Sequence, residues 1–368
     1  MNFKFKKVII AGGGTGGHLF PAIAIGQELE NEGIIVKYIG SKNGIESNGK
    51  FIEKNKIELL DLRGFARDFK MSSIVKNIIL PFKILKSYIK VKRIFKNFNP
   101  DLVIGTGGYS CALPLYVAIK KNILTAIQEQ NVLPGLVTRK FSNKVDTVFI
   151  SFDKTKEYLN KNNYLLTGNP IRSRIKKIDA QESKKIFGLD LKKFTILIMG
   201  GSQGARSVNN HFQCNYKKYL NKNIQIIWQT GSNSRDILKK VKDHNIKMFE
   251  FIDNMEHAYS ASDLIVSRAG ATAISEILYL GKPSILIPYP FASDNHQELN
   301  AKVLDNIEAA VMVKESEFEK NVLENKIFEL IDSNQKMNLL KKNALEFSNR
   351  DSGFLIKEKI KEMILDAR

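Results

Sequence analysis

The chain has 368 residues, of which 43% are hydrophobic and 26% charged, so it is long enough for two domains and too apolar for a disordered chain. Its 57 basic and 38 acidic residues give a formal net charge of +19, which favours acidic partners such as nucleotides, nucleic acid or anionic lipid. Two cysteines and the absence of CxxC or HExxH spacing argue against a disulfide framework and a structural metal. No apolar run reaches ~20 residues and no signal-peptide pattern precedes the first strand, so a cytoplasmic protein is expected.

The first half of the chain twice places a glycine-rich turn between an apolar strand and a helix. Residues 12–18 (GGGTGGH) follow the strand VIIA, and residues 105–110 (GTGGYS) follow the strand LVIG. Such turns let a phosphate approach backbone amides at a helix N-terminus, and tight packing of strand against helix is the alternative. The second strand ends at Gly40 and Ser41, where a dinucleotide-binding domain carries an acidic residue, which disfavours an NAD-dependent oxidoreductase.

Residues 72–98 differ from the rest because they combine many apolar and basic side chains with no acidic one. Such a segment is typical of a surface helix that lies on anionic lipid. A core helix with a solvated basic face explains the same composition, and the sequence leaves both interpretations open. Pro81 is expected to divide the segment into two helices.

The second half restarts the pattern with apolar strands over 194–199 and 224–229. A third glycine turn, GGSQGAR at 200–206, follows the first of these strands and precedes a predicted helix. The recurrence predicts an α/β fold of two doubly wound, Rossmann-like domains that face a cleft. We place the N-terminal domain at 1–168, the C-terminal domain at 169–350, and a helix that crosses back to the first domain at 351–368.

Residues 268–272 (RAGAT) form a turn of small residues between another apolar strand and a short helix. Small residues let a diphosphate reach the amides of that helix N-terminus. Glu276 lies one turn farther on, where a carboxylate can accept both hydroxyls of a ribose. Residues 294–297 (DNHQ) then supply donors and acceptors for a sugar ring. A nucleotide-sugar fits this spacing, and simple strand–helix packing is again the alternative.

Seven loops occur in one order: GGGTGGHLFPAIAI, GTGGYSCALP, QEQNVLPG, TGNPIR, MGGSQGAR, SRAGATAISEI and DNHQELNA. In that order and spacing the sequence resembles the MurG family of peptidoglycan N-acetylglucosaminyltransferases over nearly the whole chain. The resemblance implies a glycosyltransferase B fold, with an acceptor- and membrane-associating N-terminal domain and a donor-binding C-terminal domain.

The resemblance also implies an activity in cell wall synthesis. The enzyme would move N-acetylglucosamine, with inversion, from UDP-N-acetylglucosamine to the 4-hydroxyl of N-acetylmuramoyl-pentapeptide on undecaprenyl diphosphate, which converts lipid I to lipid II. It would act as a peripheral protein at the cytoplasmic face of the inner membrane. The composition of 72–98 marks that segment as the one expected to bind anionic lipid. No cofactor and no nucleic acid partner are expected.

Substrate-contacting positions of the family match particular residues of this sequence. Asn131 matches the contact to N-acetylglucosamine, Arg172 a contact to donor phosphate, and Glu276 the contact to the ribose hydroxyls. The full set of matching residues is Thr15, Gly16, Gly17, Asn131, Arg172, Ser202, Ile252, Ala271, Thr272, Ala273, Ile274, Ser275, Glu276 and Gln297. The sequence departs from the usual family pattern at Gln128, where His is common, at His296, where Gln is common, and at Ala273, where Thr is common.

The transfer needs a base for the acceptor hydroxyl and stabilisation of the leaving UDP. We predict His18 as the base, since imidazole exchanges protons near neutral pH, and keep Glu129 as the other candidate. Tyr109 is expected either to contact the acceptor or only to pack. No DxD-like metal motif is present, so Arg172, Ser202 and two helix N-termini are expected to stabilise the leaving group without a metal.

Two rival functions remain at this point. One is another UDP-N-acetylglucosamine enzyme of the same fold, such as the 2-epimerase, which would have no use for the apolar and basic segment at 72–98. The other is a basic nucleic-acid-binding protein, suggested by the net charge of +19. The sequence has no RRM-like aromatic motif, zinc-finger spacing or basic repeat to support the second rival.

Overall fold

The computed structural model describes residues 6–64, 71–201, 203–234, 236–348 and 351–366, except for the side chains of 71–76, 238 and 239. By the contacts among its residues the chain divides into two compact units. Unit 1 comprises Met1–Arg172 with Asp351–Arg368, and unit 2 comprises Ser173–Arg350.

The described residues form strands and helices that alternate along most of the chain. The strands are β1 Lys7–Ala11, β2 Ile35–Ser41, β3 Ile57–Leu60, β4 Leu102–Gly105, β5 Leu124–Glu129, β6 Thr147–Ile150, β7 Tyr164–Leu166, β8 Phe194–Met199, β9 Ile224–Gln229, β10 Ile246–Phe249, β11 Leu264–Arg268, β12 Ser284–Ile287 and β13 Val311–Met312. The α-helices are α1 Gly16–Asn31, α2 Met71–Phe98, α3 Ala112–Lys120, α4 Leu136–Phe141, α5 Ala180–Ile186, α6 Arg206–Leu220, α7 Ile237–Lys240, α8 Met255–Ala261, α9 Ala271–Leu280, α10 His296–Asn306, α11 Val322–Ile331, α12 Asn334–Phe347 and α13 Ser352–Asp366.

Unit 1 is built on a seven-stranded sheet in the order β3-β2-β1-β4-β5-β6-β7, and every recorded pair is parallel. Apolar side chains from alternate positions of the strands pack on both faces of the sheet. One face is covered by α1 and α13, and the other by α2 and α3. The strand order reverses between β1 and β4, so the loops after these two strands meet at one edge of the sheet.

Unit 2 has a six-stranded parallel sheet in the order β10-β9-β8-β11-β12-β13. Its strand order reverses between β8 and β11, where Met199 pairs with Ser267. The loops that lead into α6 and α9 therefore start side by side. The predicted α/β fold with two doubly wound parallel sheets is confirmed.

Helix α13 belongs to unit 1 although the whole of unit 2 precedes it in the chain. Ile356 and Ile360 are buried in the core that α1 contributes to. Lys357 pairs with Glu32 at the end of α1, with 2.9 Å between Nζ and Oε1. A Cβ added at Gly353 would lie only 3.1 Å from a side-chain carbon of α1, so this glycine allows the two helices to approach closely.

The expected break at Pro81 is wrong, because α2 runs unbroken over 28 residues. Proline removes one helical hydrogen bond and forces a local adjustment of the turn before it. Pro81 is exposed, so that adjustment takes place at the solvent side and not inside the core. Farther along the helix, Val91, Ile94 and Phe95 are buried against the sheet and fix its course.

Candidate active site

The first glycine loop connects β1 to α1 and lies beside the loop that follows β4. Gly13 and Gly14 have φ angles of 148° and 90°, which side chains other than glycine rarely adopt. A Cβ at Gly108 would stand 2.7 Å from the carbonyl oxygen of Gly13, so glycine at 108 lets the two loops touch. The edge of the sheet at β1 and β4 is thus lined by backbone.

His18 lies in the first turn of α1, because the helix begins at Gly16 with Thr15 as its N-cap. Its Nδ1 is 3.1 Å from the carbonyl oxygen of Thr106 and 3.1 Å from Oε1 of Gln130. Both neighbours are hydrogen-bond acceptors, so Nδ1 carries the proton of the neutral ring. Nε2 is then left with the lone pair, which is the tautomer that a general base requires.

Gln130 is a residue that the sequence reasoning did not single out. Its Nε2 donates to the carbonyl oxygens of Thr106, at 2.7 Å, and Gln128, at 3.0 Å, which turns its Oε1 toward His18. Gln128, one of the departures from the family pattern, is fully buried and donates to Ser151 and Asn169. These buried amides hold the imidazole in one orientation, and only the spatial neighbourhood reveals that role.

Glu129, the second candidate base, holds the turn that follows β5. Its Oε1 accepts from the backbone amide of Asn131 at 3.0 Å, and its Oε2 accepts from the Gly135 amide at 3.0 Å and the Thr138 hydroxyl at 2.6 Å. The carboxylate is buried, and both of its oxygens are occupied by donors. This arrangement favours a structural role over proton transfer, and the catalytic assignment of Glu129 stays a prediction.

The other predicted residues of unit 1 surround the same sheet edge. Thr15 is exposed, and Gly16 and Gly17 open α1. The guanidinium of Arg172 lies over the ring of Phe20 in α1, 4.2 Å from its centroid. Tyr109 is about half exposed, in the 3₁₀ turn after the second glycine loop. Its exposure is compatible with an acceptor contact, which stays a prediction.

In unit 2 the predicted diphosphate positions lie at the start of α6 and α9. Ser202 falls outside the described residues. Helix α9 begins at Ala271, so the residues predicted to hold diphosphate, from Ala271 to Ser275, form its first turns. Amides in the first turn of a helix have no partner within the helix, and the helix dipole favours an anion there. Ile252 is buried, and its amide donates to Gln229 Oε1 at 2.9 Å.

Glu276 is held in place by a tyrosine that the sequence reasoning also missed. The carboxylate is only 3% exposed, and its Oε2 accepts a hydrogen bond from the hydroxyl of Tyr259 at 2.9 Å. Tyr259 itself is fully buried in α8. In the nearby loop before α10, the backbone amide of Tyr289 donates to Oε1 of Gln297 at 3.0 Å, which orients the amide group of that predicted sugar contact.

Arg268 is the last residue of β11 and stabilises the turn that follows, in which the sequence analysis considered only the small residues. Its guanidinium donates to the hydroxyl of Ser207, at 3.1 Å, and forms an ion pair with Glu315. It also reaches the backbone carbonyls of Ile287 and Pro288. Because Ser207 is in the first turn of α6, this one buried side chain connects the start of α6 to the end of β11.

Two family models match the chain. The glycosyltransferase family 28 N-terminal domain matches residues 8–150, and the glycosyltransferase family 28 C-terminal domain matches residues 195–360. These matches lie on the sheets of unit 1 and unit 2 respectively.

Relatives and solved structures agree with these matches. A UDP-N-acetylglucosamine–N-acetylmuramyl-(pentapeptide) pyrophosphoryl-undecaprenol N-acetylglucosamine transferase of Christiangramia forsetii is 35% identical, over 97% of this chain and 98% of that protein. The crystal structure of Acinetobacter baumannii MurG has a TM-score of 0.75 at 27% identity, over 97% of this chain and 99% of that one. A UDP-GlcNAc 2-epimerase from Neisseria meningitidis has a TM-score of 0.67 at 14% identity, over 97% of this chain and 100% of that one, and shares the fold alone.

Proposed function

Because the chain belongs to glycosyltransferase family 28 and to its MurG members, we propose that it transfers N-acetylglucosamine from UDP-N-acetylglucosamine to an N-acetylmuramoyl-pentapeptide on undecaprenyl diphosphate. The observation that carries the proposal is the 35% identity to a transferase of that name across 97% of the chain. The 2-epimerase alternative has only a common fold in its favour.

The residues of unit 1 are suited to activating the acceptor. In the proposed reaction, Nε2 of His18 takes the proton of the acceptor 4-hydroxyl while the oxygen forms a bond to the anomeric carbon of the donor sugar. The bond from that carbon to the diphosphate oxygen breaks, and UDP leaves from the opposite side, which inverts the configuration. The hydrogen bonds from Nδ1 to Thr106 and Gln130 support this direction of proton transfer.

When the bond to the sugar breaks, the terminal phosphate of the leaving UDP gains one further negative charge, and we assign its stabilisation to cationic and dipolar groups. The N-termini of α6 and α9 lie after the neighbouring strands β8 and β11, so both dipoles act at one sheet edge. Arg172 and Ser202 are proposed to contact the phosphates, and Glu276 to accept from the ribose hydroxyls. A charge-assisted arginine contact supplies the kind of stabilisation that a bound cation would otherwise give.

The test is transfer of radiolabelled N-acetylglucosamine from its UDP donor to a short-chain lipid I analogue, with and without EDTA. We expect labelled lipid product in both conditions. If the product forms only without EDTA, the protein is still a transferase, but a metal ion and not the protein alone stabilises the leaving group. Binding of UDP-N-acetylglucosamine without any lipid product would reject the transferase proposal in favour of an epimerase-like enzyme.

We further propose that the enzyme binds the anionic face of the membrane through α2, where the lipid-linked acceptor is anchored. Ile78, Phe82, Leu85 and Ile89 recur at helical spacing on one side of α2 and are 65%, 73%, 58% and 54% exposed. Within the described part of the chain, no helix has the length and apolar character needed to span a bilayer. An exposed apolar stripe with basic neighbours suits a helix that lies in the interface.

The cations along this stripe differ in their pairing, which allows a sharp test. Lys83 pairs with Asp61 and Lys90 pairs with Glu58, at 3.0 Å and 2.7 Å. Lys86 and Arg93 are exposed, one helical turn beyond Phe82 and Ile89, and therefore flank the stripe. They are the cations best placed to meet lipid phosphate.

We expect the double variant Lys86→Gln/Arg93→Gln to bind anionic vesicles roughly 30-fold more weakly, since each cation near such a surface contributes about 1 kcal/mol. The matched control is Lys83→Gln/Lys90→Gln, whose charges are already compensated, and it should lose less affinity. Co-sedimentation with vesicles of phosphatidylglycerol measures both. If Lys86→Gln/Arg93→Gln and the wild type bind the vesicles equally well, these cations do not bind lipid and α2 has only a structural role.

A further inference from the structure

A buried carboxylate occupies the inner side of the first glycine loop. Glu46, in the 3₁₀ turn Ile45–Asn48 that follows β2, is only 1% exposed. Its Oε1 accepts hydrogen bonds from the backbone amides of Ser41, at 2.7 Å, and Gly14, at 3.0 Å. Its Oε2 also lies 3.0 Å from the Gly14 amide. One side chain therefore ties the glycine loop to the end of the neighbouring strand.

Three glycines leave the space that this side chain fills. A Cβ at Gly13 would stand 2.1 Å from Oε1 of Glu46, and a Cβ at Gly44 would stand 2.2 Å from Oε2. At Gly40 the same atom would lie 2.7 Å from Cγ. These distances are far below van der Waals contact, so glycines of the first loop, of strand β2 and of the turn after β2 enclose the carboxylate. The sequence alone shows at Gly40 only the absence of the acidic residue that would bind a ribose.

The position of this carboxylate changes what the loop can bind. In a dinucleotide-binding domain, the amides of such a loop face a ligand phosphate, and an acidic residue after the second strand binds the ribose. Here an acidic residue after the second strand turns inward and bonds the loop amide of Gly14 itself. A second anion at that amide would meet direct charge repulsion.

We propose that Glu46 is a positioning residue of the transfer reaction: it occupies the Gly14 amide, keeps a phosphate away from that amide, and fixes the loop that leads into His18. This inference rests on the proposed function. His18 follows the loop directly, and its own carbonyl oxygen accepts from the Thr106 hydroxyl at 2.9 Å. A shift of the loop therefore moves the start of α1 and the imidazole, and a displacement of ~1 Å can reduce the rate about a hundredfold.

The experiment compares Glu46→Ala and Glu46→Gln in the full chain with a matched control, Asp146→Asn. Asp146 also accepts from a backbone amide of unit 1, that of Thr125 at 2.7 Å, but lies on the strand β5 side of the sheet. We expect kcat to fall about a hundredfold in Glu46→Ala, with donor affinity by calorimetry unchanged. Acetate is small enough for the vacated space and replaces the lost carboxylate, so it should restore part of the rate in Glu46→Ala. Acetamide has a similar size but no charge and should not.

Hydrogen exchange of the amides of residues 12–18 measures the stability of the loop independently of catalytic activity. Faster exchange in Glu46→Gln but not in Asp146→Asn is expected, because a neutral amide oxygen accepts from the Gly14 and Ser41 amides more weakly than a carboxylate and the NH2 group cannot replace Oε2 as an acceptor. Unchanged exchange together with wild-type kcat in Glu46→Gln would overturn the role of Glu46, even if Glu46→Ala does not fold. A wild type with no transfer activity would instead reject the proposed function, and the exchange result would still decide whether Glu46 holds the loop.

Discussion

Replacing His18 with alanine is expected to lower kcat by about 10²–10⁴-fold, the usual contribution of a positioned general base. The structure gives the reason, since Nδ1 faces the acceptor oxygens of Thr106 and Gln130 and leaves Nε2 to take a proton. His18 is not proposed to touch the nucleotide, so the affinity for UDP-N-acetylglucosamine should stay close to that of the wild type. Steady-state kinetics with a lipid I analogue and calorimetry with the donor measure the two quantities.

The control for this prediction is His244→Ala, which removes an imidazole that is largely exposed in unit 2. It should leave both kcat and donor affinity unchanged. A kcat near the wild-type value in His18→Ala would show that the base is another group. A parallel loss of donor affinity would instead assign His18 to substrate binding.

Replacing Glu276 with alanine is expected to raise the KM for UDP-N-acetylglucosamine by about 10- to 150-fold, because hydrogen bonds to a charged group contribute roughly 1.5–3 kcal/mol. The carboxylate is buried in the second turn of α9 and is oriented by the hydroxyl of Tyr259. Tyr259→Phe should therefore raise the same KM by a smaller factor, about 2- to 10-fold, through loss of one neutral hydrogen bond. Initial rates over a range of donor concentrations measure both variants.

Two residues of unit 2 provide matched controls. Tyr219 is fully buried, and its hydroxyl has no hydrogen-bond partner among the described residues, so Tyr219→Phe should leave the donor KM unchanged. Glu329 pairs with Lys326 and Lys336 on the surface, so Glu329→Ala tests the loss of a carboxylate outside the site. If Glu276→Ala folds and its KM for the donor is unchanged, Glu276 does not bind the ribose.

The local elements of the fold could be predicted from the sequence to a large extent. Apolar runs between glycine turns gave strands β8 and β9 with their observed ends, because a fully buried parallel strand is a short apolar segment bounded by turn residues. Gly281 ends α9 with a φ of 62°, the left-handed conformation that makes glycine a common helix terminator. The resemblance to the family depends on seven loops that occur in one order, because no single loop is specific enough to identify the family.

Contacts between distant parts of the chain could not be predicted from the pattern. Gln130 lies 112 residues from His18, and Glu46 lies 32 residues from Gly14, so no local periodicity connects them. Tyr259 and Glu276 are on different helices, and their contact depends on the packing of α8 and α9. The break expected at Pro81 failed for a related reason, since propensity alone does not show which side of a helix faces solvent.

The place of α13 has a consequence for synthesis on the ribosome. Ile356 and Ile360 complete the core of unit 1, yet they are translated after all of unit 2. Unit 2 can finish folding while the α1 face of unit 1 still exposes the apolar side chains that α13 will cover. Until α13 is translated, unit 1 therefore leaves this apolar face uncovered, and transiently exposed apolar surface of this kind is prone to aggregation.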